Sequence, residues 1–387
     1  MNFRSISLVT LGHFASDINQ GALPALLPFF IEQYHLSYAA AAFIVFAANI
    51  ASSVIQPIFG YFSDRLSKVW LMPLGIILAG FGMALSGVVG SYSLILLAVA
   101  VSGCGVAAFH PDAARLVNRL APDNKALGMS LFSVGGNAGF AFGPILATSA
   151  VMTWGLDGTL IFTIPALIVA PFLYFQFRGF SVPGPKMTED KEQPALLEDQ
   201  WFPFIRLTGV VVARSVLFFG LNTFIPLYWI NVLHESNVAG GAALTIMFSL
   251  GIVSTLIGGR IANWVGYRRM IIAGFSLMLP LLAVFTFVHD TFWATVLLIP
   301  ISFGLFSTYG PIIATGQNYL PTRVGFASGV TIGLAVTIGG IAAPILGWIA
   351  DVYSIQVAMQ SLIVIPVIAI ALTISLPAEK KSPAGNT

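Results

Sequence analysis

Apolar runs of roughly 20 residues or more, each closed by a short cluster of polar or turn-forming residues, follow one another along nearly the whole chain. They predict helices near 5–31, 38–62, 69–89, 92–117, 126–154 and 158–177, and again near 203–233, 239–264, 269–288, 292–318, 324–349 and 355–376. One stretch breaks the rhythm. From Arg178 to Gln200 the chain carries Pro183, Pro185, Lys186, Glu189, Asp190, Lys191 and Glu192 with little apolar periodicity, so it reads as a linker. The pattern predicts an all-α integral membrane protein of twelve transmembrane helices in two sets of six.

Composition agrees and removes the soluble alternative. Of 387 residues, 57% are hydrophobic and 8% charged, with a mean hydropathy of +0.91. A water-soluble domain has about a quarter of its residues charged, so the bilayer is the solvent here and little chain remains for a soluble domain. Met1 to Ile31 is broken by His13, Asp17, Asn19 and Gln20 and lacks a small-residue cleavage site, so it reads as a first span rather than a removable leader. The single cysteine, Cys104, excludes an internal disulfide framework and a cysteine metal site, and reads as a small packing residue.

Charge adds orientation. With a cytoplasmic N-terminus, one side of the membrane collects Arg4, Arg65, Lys68, Arg115, Arg119, Lys125, Arg178, Lys186, Lys191, Arg206, Arg260, Arg268, Arg269, Arg323, Lys380 and Lys381, sixteen of the 17 bases. The opposite loops hold Glu32, Asp157, Glu235, Asp290 and Asp351 and no base. Both termini are therefore expected in the cytoplasm, in an inner membrane of bacterial type. The remaining base, Arg214, falls inside a span.

The chain also matches itself at an offset of about 200 residues. The run Leu27 to Ile31 falls on Ile225 to Ile230 with one residue of slack, Gly60 to Arg65 on Gly259 to Trp264, His110-Pro111 on Gly310-Pro311, and Gly143 to Leu146 on Ala343 to Leu346. Ordered matches at near-constant offset imply duplication, with halves at 1–178 and 203–387 joined by a cytoplasmic linker at 179–202. Two parallel six-helix halves describe the major facilitator architecture, in which substrate binds near the midplane between halves that rock against each other. The stretch Gly60-Tyr-Phe-Ser-Asp64-Arg65-Leu-Ser-Lys68 resembles that superfamily's loop signature between spans two and three, and Gly259 to Arg269 resembles it with Asn263 replacing the acid. More narrowly, His13-xxx-Asp17, Phe109-His110-Pro111-Asp112-Ala-Ala-Arg115 and the Ser133-Val-Gly135-Gly136-Asn137 run leading to Pro144 resemble the fosmidomycin-resistance family of drug exporters, along essentially the whole chain.

Few residues could carry chemistry, because a charge at the bilayer centre is costly and is kept for function. Asp17 lies about twelve residues into the first span, roughly 18 Å along the helix, with His13 one turn away on the same face. Asp17 is thus a candidate proton carrier. His110 and Asp112 join it as candidates for proton coupling, since imidazole titrates near neutral pH and Pro111 can bend the fourth span; a hydrogen-bonded bend is the plainer reading. Two such ligands without a third predict no metal site. Arg214 sits at the depth of Asp17 in the seventh span. The architecture that the resemblance implies sets these two helices face to face, so Arg214 could pair with Asp17 until an anionic substrate displaces it, or hold a permanent structural pair.

Gln20, Asn137, Asn222, Tyr228 and Gln317 are further candidates for lining a substrate cavity, although each could instead face a neighbouring helix. The superfamily resemblance implies a cytoplasmic gate at Gly60, Asp64, Arg65 and Lys68, with Arg115 and Arg119 as partners for the carboxylate and the positive end of the eleventh helix nearby. Gly135, Gly136, Gly139 and Gly143, and Gly325, Gly329 and Gly333, are spaced for close helix contact, and a glycine-rich fifth span ending in Gly-Pro resembles the antiporter branch. One departure matters: no arginine stands near Val99 in the fourth span, where many proton-coupled exporters of the superfamily carry one.

No nucleophile–base pair or metal cluster suggests an enzyme, and no soluble domain suggests a receptor. The expected function is a secondary active transporter, a proton-coupled antiporter exporting a small amphiphilic or anionic compound such as a drug by alternating access. A proton-coupled importer of a small metabolite fits the same scaffold. The expected partners are a small-molecule substrate, protons and the lipid bilayer, with no cofactor, no nucleic acid and a monomeric chain.

Overall fold

The computed structural model describes residues 2–66, 70–121, 125–179, 198–323, 326–327, 330–331 and 335–377. Among them the regular structure is helical: α1 (Phe3–Tyr34), α2 (Tyr38–Leu66), α3 (Leu71–Val88), α4 (Tyr92–Leu120), α5 (Lys125–Trp154), a 3-10 segment (Gly155–Phe162), α6 (Thr163–Phe177), α7 (Trp201–Asn231), α8 (Asn237–Val265), α9 (Tyr267–Phe285), α10 (Thr291–Ser307), α11 (Tyr309–Tyr319), α12 (Ala335–Val352), α13 (Ile355–Ser361) and α14 (Val364–Ile374).

By length and apolarity, nine of the described helical stretches can cross a membrane. The polar side chains His13, Asp17, Asn19 and Gln20 lower the hydropathy of α1, which is not among the nine, and Leu131–Phe177 counts as one stretch of 47 residues, longer than a single crossing needs. Where the described helices coincide with the expected spans, they carry local interruptions. The sixth opens as a 3-10 turn after Gly155, whose φ of 64° favours a residue without Cβ. The tenth is broken at Thr308, three residues before Pro311, which cannot donate to the Ser307 carbonyl. Pro111, its counterpart in the first half, lies inside a continuous α4.

The chain packs as two compact units, one of Met1–Lys191, Leu221–Ser249 and Gly340–Ala358, the other of Glu192–Gly220, Leu250–Gly339 and Met359–Thr387. In the first unit α1 is enclosed on nearly all sides, from Ser5 to Phe30, so its polar residues face protein rather than lipid. It lies against α5 at backbone distance. A Cβ built on Gly139 would stand 2.7 Å from the Ile18 nitrogen, and one on Gly143 2.5 Å from the Ile18 oxygen. Two apolar clusters flank the helix, one around Phe109, Phe132, Leu173 and Phe177, the other around Leu26, Phe30, Val45, Val99 and Phe162.

Within this same unit, segments from late in the chain meet segments from early in it. The Asp351 carboxylate accepts the N–H groups of Tyr38 (2.6 Å) and Ala39 (2.9 Å), the first residues of α2. An acidic group at a helix N-terminus satisfies orphan donors and the positive end of the dipole together. A Cβ on Gly347 would fall 2.6 Å from the Ala39 Cα, and one on Gly241 2.5 Å from the Thr148 methyl. In the second unit, Arg206 donates to the Ser375 carbonyl (2.7 Å) and Arg268 to those of Thr373 (3.1 Å) and Ile374 (2.6 Å), capping the last turn of α14. Asp199 accepts from the Thr322 N–H and hydroxyl and pairs with Arg323 at 3.3 Å.

Large apolar side chains such as Leu97, Phe142, Phe172, Phe175, Ile205, Leu256 and Phe287 are exposed. In water such a surface would drive association; in a bilayer it is the wetted surface.

Candidate functional site

The polar centre of the first unit is built by α1, α4 and α5. His13 and Asp17, four residues apart, share one face of α1, and their side chains meet at 3.0 Å (His13 Nε2 to Asp17 Oδ2). From α4, His110 brings its Nε2 to 3.4 Å from Asp17 Oδ1 and 3.1 Å from His13 Nε2. Asp17 is 5% and His13 7% exposed, whereas the His110 side chain keeps 24% of its surface open. The cluster is therefore buried with one accessible edge.

Both imidazoles are fixed through their other nitrogen. His13 Nδ1–H donates to the Phe132 carbonyl of α5 at 2.7 Å, and its ring stacks on Phe132 with centroids 3.9 Å apart. His110 Nδ1–H donates to Val106 O at 2.8 Å. A carbonyl only accepts, so each Nδ1 carries hydrogen and each Nε2 of a neutral ring is a bare acceptor. When both rings are neutral, two Nε2 lone pairs face the Asp17 carboxylate, whose buried Oδ1 then has no hydrogen-bond donor; a proton on either Nε2 turns these contacts into hydrogen bonds. Such a group of acceptors is repulsive until a cation joins it.

The other expected residues fall elsewhere. Asp112 is fully buried and accepts from Arg115 Nη2 at 3.1 Å along α4, away from the three-residue cluster. Arg119 is exposed. The side chains of Gly60, Asp64 and Arg65, all of Lys68, and Gly325, Gly329 and Gly333 lie outside the described residues. Gln20 Nε2 reaches the Ser52 hydroxyl at 3.5 Å, and Asn137 is exposed on α5. Asn222 is buried with its Oδ1 unsatisfied, Tyr228 is fully buried beside Trp229, and Gln317 is half-buried.

Arg214, in the second unit, donates Nε–H to the Leu305 carbonyl at 3.2 Å and holds its guanidinium 4.6 Å above the Tyr309 ring. The break at Thr308 separates these two partners, so the interrupted helix forms the arginine's seat. Neither partner is anionic. Within its own unit each group has its own partners: Asp17 is engaged by two histidines, Arg214 by a carbonyl and a ring. His110, a proton-coupling candidate by sequence, meets His13 and Asp17 in space; Gly136 by sequence is a packing glycine, and Tyr309 carries no sequence signal. A Cβ on Gly136 would lie 2.5 Å from His13 Nε2 and 2.8 Å from Asp17 Oδ2, so this glycine adjoins the cluster directly.

An all-helical fold with long apolar spans and a buried charged cluster is that of a multi-pass membrane transporter. The Major Facilitator Superfamily profile matches residues 9–344, and the chain belongs to that family of transporters, which are not enzymes and act on small molecules. It is 29% identical over 97% of its length, and 93% of the relative's, to the fosmidomycin resistance protein of Escherichia coli strain K12. It is 26% identical to the uncharacterized transporter YfnC of Bacillus subtilis strain 168, covering 97% of this chain and 93% of that one. Among solved structures, a bacterial homolog of the human lysosomal transporter Spinster, in an inward-facing and occupied conformation, superposes with a TM-score of 0.82 at 15% identity over 97% of both chains.

Proposed function

We propose that this transporter is a proton-coupled antiporter, exporting a small amphiphilic or anionic compound across an inner membrane by alternating access. The observation that carries the reading is Asp17: a carboxylate near the midpoint of the 32-residue α1, buried, and touched by two imidazoles. A proton arriving at this cluster cancels its negative charge, and one leaving restores it, which is what coupling to a proton gradient requires. Arg214, seated on a carbonyl and an aromatic ring, supplies positive charge for an anionic cargo. The fosmidomycin resistance protein is named for a drug, and likeness to it supports export of such a compound.

The wider proposal has twelve crossings in two pseudo-symmetric halves, 1–178 and 203–387, both termini cytoplasmic, a monomeric chain, and a gate at Gly60, Asp64, Arg65 and Lys68. Gln20 and Asn222 contribute to the substrate cavity. Import of a metabolite on the same scaffold is the second reading, because fold does not set direction.

The test is reconstitution in liposomes with an imposed pH gradient and fosmidomycin as probe cargo. Wild-type chain should move cargo against its own gradient. Asp17→Asn should retain exchange down a concentration gradient and lose proton-driven accumulation by tenfold or more. Unaltered uphill transport in that variant overturns the assignment.

A further inference from the structure

We propose that His13, Asp17 and His110 form a binding site for a first-row divalent transition-metal ion of the zinc type. Three protein ligands would hold the ion, and its remaining position would face the accessible edge of His110. The proposal stands on the geometry of the cluster and does not depend on the transport reading.

Four observations carry it. The ligand atoms converge: His13 Nε2, His110 Nε2 and the Asp17 oxygens all lie within 4.8 Å of one another, with nearest separations of 3.0, 3.1 and 3.4 Å. For metal–ligand bonds of about 2.0–2.1 Å, the edges of a tetrahedron are roughly 3.3 Å, so the three groups already stand near coordination spacing. The histidines are also oriented for an ion. Both Nδ1–H groups are bonded to backbone carbonyls, the outer-shell arrangement that orients a metal-binding histidine and leaves its Nε2 lone pair free.

Third, with both rings neutral the buried Asp17 Oδ1 has no hydrogen-bond donor. Finally, the group has a way in. No side chain from Gly136 stands between α5 and the ligand atoms His13 Nε2 and Asp17 Oδ2, and 24% of the His110 side chain is open. Nitrogen ligands select zinc, cobalt, nickel or copper over magnesium and calcium, which take oxygen. Of the flanking charged groups, Asp112 and Arg115 on α4 pair with each other, leaving the three ligands as the group that faces the ion.

The experiment uses the full chain in lipid nanodiscs, freed of metal by a chelator and titrated with Zn2+ by calorimetry. One ion per chain should bind, Mg2+ should not compete, and His13→Ala, His110→Ala and Asp17→Asn should each weaken binding by about tenfold or more. His289→Ala, on an exposed turn, should leave it unchanged. In wild-type chain, Zn2+ should also protect His13 and His110 from diethyl pyrocarbonate, read by peptide mass, a measurement that needs no substitution to fold. Absence of saturable binding, binding retained in the His13→Ala/His110→Ala double variant, or equal modification of the two histidines with and without Zn2+ each overturns the site. Proton-driven transport is read separately, so the failure of one proposal leaves the other standing.

Discussion

At the scale of single residues, the side chains that matter are those whose partners leave something unsatisfied. Arg214 gives its Nε–H to Leu305 and stacks over Tyr309, contacts that orient a guanidinium without neutralising it. Arg214→Ala should therefore weaken anionic cargo by about tenfold or more, about 1.4 kcal/mol, and neutral cargo of similar size much less, measured as competitive displacement of a labelled compound in detergent. Equal losses for both would assign Arg214 to structure alone. His13 and Asp17 were legible in the sequence because a four-residue spacing on one helix is a local fact. That His110 completes the group was not, since it depends on how α4 lies against α1. The expectation of no metal ligand set considers His110 with its neighbour Asp112, whereas the groups that meet His110 are His13 and Asp17 on another helix.

At the scale of helices, backbone contact between α1 and α5 sets the cluster in place. Valine at Gly143 would drive a side chain into the Ile18 oxygen and Ala22 nitrogen, 2.5 and 2.6 Å from the new Cβ. Gly143→Val should cost about 2–3 kcal/mol, seen as a fall of several degrees in the thermal midpoint of the purified protein. Gly90→Ala, with nothing within 4 Å of its Cβ, should leave that midpoint where it is; a similar fall in both would disconnect the effect from helix approach. Helix positions were legible because hydropathy summed over about 20 residues is a strong signal. The break at Thr308 and the 3-10 turn at Gly155 were not, because each turns on one or two backbone hydrogen bonds that such a sum averages away.

At the scale of the molecule, the compact units cut across the halves that the repeat implies: Gly340–Ala358 groups with the beginning of the chain. The Asp351 carboxylate on the first two N–H groups of α2, with Gly347 against Ala39, joins early and late segments on the side opposite the N-terminus. Alternating access requires such contacts to part. Asp351→Ala should raise labelling of a cysteine placed at Ala40 by an impermeant maleimide added outside, severalfold in a Cys104→Ala background. Unchanged labelling would make Asp351 a helix cap and nothing more.

The sequence by itself determined the solvent, the long apolar helices and the place of His13 and Asp17 on one face of the first of them, because hydropathy and helical spacing are properties of consecutive residues. Only the tertiary structure decided which polar groups meet. It set His110 against His13 and Asp17, seated Arg214 at a helix break, and assigned Asp351 to α2. The reason is physical: in a bilayer every helix is apolar enough to fit many neighbours, and the choice among them is made by close backbone approach at small residues and by the few buried hydrogen bonds, neither of which has a period along the chain.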